Sequence, residues 1–421
     1  MEVKIVKSVM VKPASATPNI RVKTSILDLI APITHIPAFY FFRWKDDPSF
    51  FDTNLLKEAL AKALVSFHPF AGRLANDRTE IHCNGEGVLF VEAEATSSFL
   101  EDMGEFYPTN DMCPQFDYSL GIGSFPLVAI QVTRFSCGGV LLVFAFHHTV
   151  ADGYSGFTFA QTWSDLARGE CVKQPPFVDR TVLRAREPPR PTFPHVEYQF
   201  APSMISEAVN ERVKTSIFTF TKEQLRRLRE KTEEEEAAQY TTFEVVAGHI
   251  WRCVCKSRGL NDEQETKVHI PIDGRRRLRP PVPEGYLGNV VFPAAATAKG
   301  GEAQCTHAHW ARKIHETLKR MDDEYMRSAL DYLHLVPDLS KHLPGPRISS
   351  CPNMMISSWV RMPFHETDFG WGKPVFVGSR KTFPDGFCFI LPNLSSDGAF
   401  IISISLYSNH MKLFQHFIFD F

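Results

Sequence analysis

Apolar positions change their period several times along the chain, and each change marks an element. Val3, Ile5 and Val9 alternate with lysines, the pattern of an edge strand, and a second apolar stretch fills 36–42. From Asp52 the spacing becomes helical. Leu56, Leu60, Ala63, Leu64 and Phe67 share one face, Asp52 or Thr53 stands at the N-cap, and Pro69 stops the run. Short strands follow at 79–83 and 87–91, and the turn residues Asn84 and Gly85 between them predict a hairpin. Residues 127–133 and 140–146 predict a second hairpin, turning at Cys137, Gly138 and Gly139. After it, Phe157, Phe159, Ala160, Trp163, Leu166 and Ala167 make another helical face that ends at Gly169.

The character then changes. Seven prolines between 172 and 204 forbid a regular helix or a central strand, so this stretch reads as a long crossover between two domains. Beyond it come a strand at 213–219, a charged helix opened by the capping box Thr221/Gln224, and a helix opened by Thr241/Glu244 that ends at Arg258-Gly259. A strand at 267–272 leads into the basic segment 273–277, a long helix is predicted over 304–333, and further strands near 355–360, 387–391 and 399–406 precede a last helix at 409–417. Strands and helices mix in both halves, which implies an α/β or α+β protein of two domains, 1–171 and 213–421, joined by a linker at 172–212.

Composition narrows the functional classes. A formal charge of −2 over 421 residues gives no reason to expect nucleic acid or an anionic membrane as partner. No apolar run approaches a membrane-spanning length, and the N-terminus lacks the layout of a signal peptide, so a cytoplasmic protein without membrane insertion is expected. Nine cysteines, an odd number without paired-cysteine metal spacing, read as reduced thiols; no metal is expected.

Chemistry enters where the apolar run 140–146 stops at His147-His148-Thr149-Val150-Ala151-Asp152-Gly153. A buried strand that ends in histidine delivers a polar group to the edge of a sheet, where open sheets place their sites. Imidazole can take and return a proton near neutral pH, so a histidine held there is a candidate general base.

Together with this turn, Asp368-Phe369-Gly370-Trp371-Gly372 and the long crossover between similar halves resemble the plant BAHD acyl-CoA transferases. The likeness spans the chain and is greatest to the hydroxycinnamoyl-CoA shikimate/quinate branch, through CNGEGVLFVEAEA at 83–95, QVTRFSCGGV at 131–140, WSDLARG at 163–169, AGHIWRC at 247–253, SALDYL at 328–333 and ISSWVRMP at 356–363. The resemblance implies two chloramphenicol-acetyltransferase-like domains, an acyl-CoA donor as co-substrate, a small acceptor, no permanently bound cofactor and a monomer. It makes His148, four residues before Asp152, the general base. Asp152 is then architectural and paired with an arginine, for which Arg275 or an adjacent arginine is the candidate, while Gly153 permits the turn. Trp359 and Ser357 fall where the tetrahedral intermediate forms, Lys256 and Arg258 match cations toward CoA, and Asp368, Gly370, Trp371 and Gly372 form a structural loop. Condensation domains of peptide synthetases share the histidine string, but they sit among other modules and lack the late loop.

The chain leaves the branch pattern at its pocket residues. Among 34–40, His35 and Tyr40 match, whereas Ile36 and Ala38 stand where the branch has Thr and Ser. A pocket that loses such hydroxyls discriminates less well for a phenol. Pro344 occupies the position of the arginine that grips the shikimate carboxylate, and Arg347 lies three residues on. These departures argue against strict shikimate specificity. Quinate, a hydroxyphenyl-lactate type acid, another alcohol or an amine are the alternatives, and a non-catalytic binding protein on the same scaffold is the rival of another class.

Overall fold

The computed structural model describes residues 2–96, 110–199, 212–236, 239–342, 348–379, 383–394 and 398–421. In the first half the strands are β1 (Val3–Val11), β2 (Arg21–Lys23), β3 (His35–Phe42), β4 (Arg73–Leu74), β5 (Glu80–His82), β6 (Val88–Ala95), β7 (Val128–Phe135) and β8 (Val140–His147), with helices α1 (Ile26–Leu29), α2 (Thr53–Ser66) and α3 (Gly153–Ala167). In the second half they are β9 (Val213–Phe220), β10 (Glu265–Asp273), β11 (Val291–Lys299), β12 (Met354–Ser358), β13 (Phe376–Gly378), β14 (Phe387–Pro392) and β15 (Phe400–Tyr407), with α4 (Lys222–Glu235), α5 (Thr242–Arg258), α6 (His307–Lys319), α7 (Asp323–Leu335) and α8 (Ser408–Phe417).

Two compact units result, and their boundaries correct the expected division. The first comprises Met1–Arg184, Pro281–Val290 and Met362–Lys381; the second comprises Ala185–Pro280, Val291–Arg361 and Thr382–Phe421. The C-terminal half therefore lends two segments to the first unit. One adds strand β13 beside β3, and the other carries Asn289, whose role is described below. Local periodicity could not show this, because each lent segment is short and reads as loop or strand wherever it docks.

Each unit is built on a six-stranded mixed sheet. In the first the order is β1-β6-β7-β8-β3-β13, antiparallel throughout except for the β6/β7 pair. In the second it is β11-β10-β12-β14-β15-β9, with parallel pairs at β10/β12 and β12/β14. The hairpin predicted at 127–146 forms as β7/β8, with Gly138 at φ +82° in its turn. The hairpin predicted at 79–91 does not form. Both edges of β6 are taken by β1 and β7, so β5 pairs instead with β2 and β4 in a small separate sheet. Gly87 makes this departure possible, since at φ +97° a Cβ there would lie 2.4 Å from the carbonyl oxygen of Val11.

In the first unit α3 packs on α2, and the indole N–H of Trp163 donates to the carbonyl of Leu56 at 2.9 Å. The long helix expected over 304–333 is two helices, because Asp322 accepts from the amide of Tyr325 and so caps a new start. The crossover is not a free linker. Arg180 is buried against Asp28 in the first unit; in the second, Asp331 takes the side chain of Arg186 at 2.7 Å and the backbone amides of Arg186 and Arg190 at 2.8 Å.

In the second unit, Trp251 and Trp310 meet edge-on with ring centroids 4.7 Å apart, and α5 lies close against α6. Gly248 is the contact point: a Cβ there would stand 2.8 Å from backbone atoms of Trp310 and Ala311. Alanine normally favours a helix interior over glycine by about 1 kcal/mol, but overpacking costs about 1–3 kcal/mol. Gly248→Ala is therefore expected to lower the unfolding temperature, by up to roughly 8 °C in calorimetry. A rise would contradict this packing.

Candidate active site

The histidine turn is built from its ends. β8 delivers His147, and α3 begins at Gly153 with Asp152 as its N-cap. Asp152 is almost fully buried and accepts from the amide of Ser155 at 2.9 Å through one oxygen and from the amide of Val290 at 3.0 Å through the other. The hydroxyl of Ser155 lies 3.2 Å from the carbonyl of Tyr286 and 3.0 Å from that of Gly288. The lent segment 281–290 is thus sewn to the start of α3, which brings Asn289 to His148.

Asn289 settles the state of that histidine. Its Nδ2 donates to a carboxylate oxygen of Asp28 and to the carbonyl of His148, both at 2.8 Å, so its Oδ1 is the atom that faces His148 Nδ1 at 3.0 Å. An oxygen there accepts, so Nδ1 carries the proton and Nε2 holds the lone pair. Burial lowers the His148 pKa below the ordinary value, and Asp152, Asn289 and Asp28 act in the opposite direction. The imidazole is neutral at neutral pH and retains a partly exposed edge.

His147 is a different residue chemically. It is fully buried, burial and the neighbouring His35, His148 and Arg78 push its pKa down to about 2, and its Nδ1 accepts from the amide of Thr149. It is an uncharged core ring.

Strand alternation sorts the pocket residues expected from sequence. His35 stands opposite His147 in the β3/β8 ladder, whereas Ile36, Ala38 and Tyr40 stand opposite Phe146, Phe144 and Leu142. His148, next in phase after Phe146, shares the face of Ile36, Ala38 and Tyr40. Grouping His35 with them is corrected: it lies on the other face, stacked on Phe116 with centroids 3.6 Å apart, its ring nitrogens 2.9 Å from the Tyr118 hydroxyl and 2.8 Å from the Pro126 carbonyl. Burial takes its pKa down to about 4. Tyr40, buried beside Thr367, is held well above the ordinary tyrosine range by burial and stays a neutral phenol. Pro344 and Arg347 lie outside the described residues.

In the second unit Ser357 lies on the face of β12 opposite to Met354 and Ile356, which belong to the core, and Trp359 follows directly on the strand's last residue. The Trp359 amide donates to the carbonyl of Ile390, and its ring meets Phe389 edge-on at 5.2 Å. Trp359 stands one residue past the strand predicted to contain it. Arg275, expected to pair with Asp152, belongs to this unit, and its side chain lies 3.1 Å from Asp273.

Arg258 corrects another expectation. Its guanidinium is buried against Asp385 at 2.6 Å and donates to the carbonyl of Asn353 at 2.6 Å, so it anchors a loop and is no cation open to a phosphate. Lys256 remains partly exposed, with its ammonium 5.7 Å from the centroid of Phe417; burial and then Arg252 lower its pKa.

The late loop is a plug in the first unit. Asp368 accepts from the amides of Gly370 and Gly372, both at 2.8 Å, and those glycines have φ of +105° and +98°. Trp371 stacks on Phe51 with centroids 5.0 Å apart, and Phe369 meets Trp163 at 4.7 Å. Arg168 holds the Asp368 carbonyl. Phe369 touches Phe42, at the far end of β3 from His35, so the loop stands roughly 20 Å along the strand from the histidine turn. Gly153 proves undemanding, since a Cβ would meet the flexible Met362 side chain at 3.4 Å and the Phe157 ring at 3.6 Å, both ordinary contacts; the strict position is Gly156, where it would lie 2.4 Å from the Phe146 ring.

Fold and sequence together define an acyl-transfer enzyme. The chain belongs to the transferase family whose model matches residues 1–419, and within it to the BAHD acyl-CoA-dependent acyltransferases. It transfers acyl groups other than aminoacyl groups, with a CoA thioester as co-substrate. It is 48% identical over 437 residues to the shikimate O-hydroxycinnamoyltransferase of Nicotiana tabacum, and 46% identical over 444 residues to a hydroxycinnamoyl-CoA:5-hydroxyanthranilate N-hydroxycinnamoyltransferase of Avena sativa; both alignments cover 100% of each chain. Its fold is similar to that of F. sporotrichioides TRI101 complexed with coenzyme A and T-2, with a TM-score of 0.79, 20% identity and coverage of 94% and 97% of the two chains.

Asp152→Ala removes a helix cap, worth about 1 kcal/mol, and strands the Val290 amide, at about 1–3 kcal/mol. Because Val290 follows Asn289, the variant is expected to lose both unfolding temperature and rate. A variant with lower thermal stability but unchanged kcat would detach Asp152 from the placement of His148.

Proposed function

We propose that the protein moves a hydroxycinnamoyl or related aromatic acyl group from CoA to a hydroxyl of a small acceptor such as shikimate, quinate or a hydroxyphenyl-lactate type acid, without strict shikimate specificity and with His148 as general base. The observation that carries this reading is the neutral imidazole whose Nδ1 is bonded to Asn289, leaving Nε2 as a base. Nε2 takes the proton of the acceptor hydroxyl as the oxygen attacks the thioester carbonyl carbon. The tetrahedral intermediate then expels the CoA thiolate, and the imidazolium returns the proton to sulfur. A thiolate leaves readily, so the steps need no metal and no covalent enzyme intermediate. The developing oxyanion is assigned, on the resemblance, to the indole N–H of Trp359 and the hydroxyl of Ser357, at and just past the end of β12. Lys256 is the cation left for CoA phosphate, and Arg275 stays the proposed charge partner of Asp152; both rest on the resemblance.

The acceptor follows from what the chain lacks. Pro344 in place of the carboxylate-gripping arginine that the resemblance places there argues against strict shikimate specificity, and the apolar Ile36 and Ala38 weaken selection for a phenolic acyl ring. Quinate and a hydroxyphenyl-lactate type acid are the hydroxyl acceptors to test first. An amine is the second reading, favoured by the name of the Avena sativa relative. A cytoplasmic monomer is the proposed state.

Pure enzyme given p-coumaroyl-, caffeoyl- or benzoyl-CoA and a panel of acids, alcohols and aromatic amines is expected to turn over acceptors other than shikimate. Selective, rapid use of shikimate would sink the acceptor assignment, and CoA-thioester binding without turnover of any acceptor would favour a non-catalytic binding protein. His148→Ala is expected to cost about two to four orders of magnitude in kcat/KM. A folded His148→Ala protein with near-wild-type rate would remove His148 from the chemistry.

A further inference from the structure

We propose that Asp28 is a positioning residue for catalysis, which through Asn289 selects the His148 tautomer that can act as a base. The inference rests on the assignment of His148 as the base and concerns a carboxylate that does not touch it.

Asp28 lies in the four-residue helix α1 with a fully buried side chain. Its Oδ2 accepts from Arg180 at 2.8 Å and from the amide and hydroxyl of Ser25 at 2.7 and 2.8 Å. That leaves Oδ1 for Asn289, whose backbone amide and Nδ2 reach it at 2.9 and 2.8 Å. Arg180 also donates to the carbonyl of Val150, inside the histidine turn, at 2.8 Å.

The consequence is directional. A side-chain amide can turn over, exchanging oxygen and nitrogen. If Asn289 did so, its oxygen would face the Asp28 carboxylate and the His148 carbonyl, two acceptors at 2.8 Å, while its NH2 would face His148 Nδ1. His148 would then carry its proton on Nε2 and present no base. Asp28 penalises that arrangement. A capping carboxylate alone would not need a buried arginine on one oxygen and an amide on the other.

Asp28 also acts on the charge. The groups about His148 in the first unit are Asp152 at the start of α3, Asp28 in α1, His147 on β8 and Arg180 from the crossover; His147 is uncharged at neutral pH. Asp28 and Asp152 favour the imidazolium, against the larger effect of burial. The rate limb set by His148 should therefore lie below pH 6.5, and loss of the Asp28 charge should move it lower still.

The test is the pH profile of kcat/KM for wild type, Asp28→Asn, and the double variant Asp28→Asn/Asn289→Asp, which returns the carboxylate directly to His148 Nδ1. Asp28→Asn is expected to lose roughly five- to fiftyfold in kcat with little change in KM for the acyl-CoA, and to shift its acidic limb to lower pH. The double variant should recover most of the rate and shift the limb above that of wild type. A folded Asp28→Asn enzyme with an unmoved limb and a rate within twofold of wild type would overturn the proposal. So would a double variant no better than the single one. Where Asp28→Asn does not fold, wild-type protein with 15N-labelled histidine decides: His148, assigned by difference from His148→Ala, should show a protonated Nδ1 and a bare Nε2, and the opposite tautomer overturns the proposal. If His148→Ala itself keeps its rate, the base assignment fails; if it is inactive while Asp28→Asn is normal, only the role of Asp28 fails.

Discussion

The buried carboxylate of Asp28 is the point at which three distant parts of the chain meet. It joins α1, Arg180 of the crossover and Asn289 of the lent segment, and Arg180 continues to the carbonyl of Val150 in the histidine turn. Such an ion pair is weak evidence for stability, because burying both charges costs several kcal/mol that their attraction only partly returns. Its value lies in placement. Each partner is held where an uncompensated charge or an unpaired amide would otherwise be left, so segments with no regular structure of their own acquire fixed positions. The same device recurs in the second unit. Asp385 accepts from Arg258 and from the amides of Cys351 and Tyr407, fixing the approach to β12, and Asp331 holds the crossover against α7.

The sequence was legible where periodicity and punctuation act locally. The strand that ends at the histidines, the helix that starts at Asp152, the β7/β8 hairpin and the capping boxes at Thr221 and Thr241 all follow from residues near one another. It was least legible where a residue's partner lies far along the chain. Nothing local tells that Asn289 serves a histidine 141 positions earlier, or that β5 is refused by β6 because both of its edges are occupied. Arg258 shows the converse error. A basic residue at a helix C-terminus reads as a cation facing solvent or ligand, yet Asp385, 127 positions on, draws it inside.

Two faint signals were present. Ser25 and Asp28 stand at the spacing of a capping box and do form one, and an arginine in a proline-rich crossover needs a partner if the crossover is packed. Neither signal says that the capping carboxylate has a second oxygen turned toward an active-site asparagine. That requires the lent segment 281–290 to be placed first, and the lent segment is placed by Asp152 and Ser155. Motif and support are therefore mutually dependent: the aspartate of the histidine turn positions the asparagine that in turn defines the histidine.

Reaction and substrate are governed by different geometrical facts. On the proposed reading the reaction depends on one lone pair at the end of β8, and the side-chain amide of Asn289 that faces it is held by Asp28 and by the carbonyl of His148. On the same proposed reading, acyl selectivity depends on strand phase. Because β3 alternates, His35 is turned away among aromatic rings, and the opposite face of β3, on the side of His148, offers Ile36, Ala38 and Tyr40. Only one of these three carries a hydroxyl, and that hydroxyl is already buried beside Thr367. A phenolic acyl ring entering this face would meet few groups that reward its hydroxyl, whereas an unsubstituted ring would forfeit little. Specificity for a polar substituent arises mainly when its absence leaves buried protein groups unpaired. By that criterion, and on the proposed reading, Tyr40 and Thr367 are the residues at which this face would tell a hydroxylated acyl group from a bare one, because Ile36 and Ala38 carry no hydroxyl.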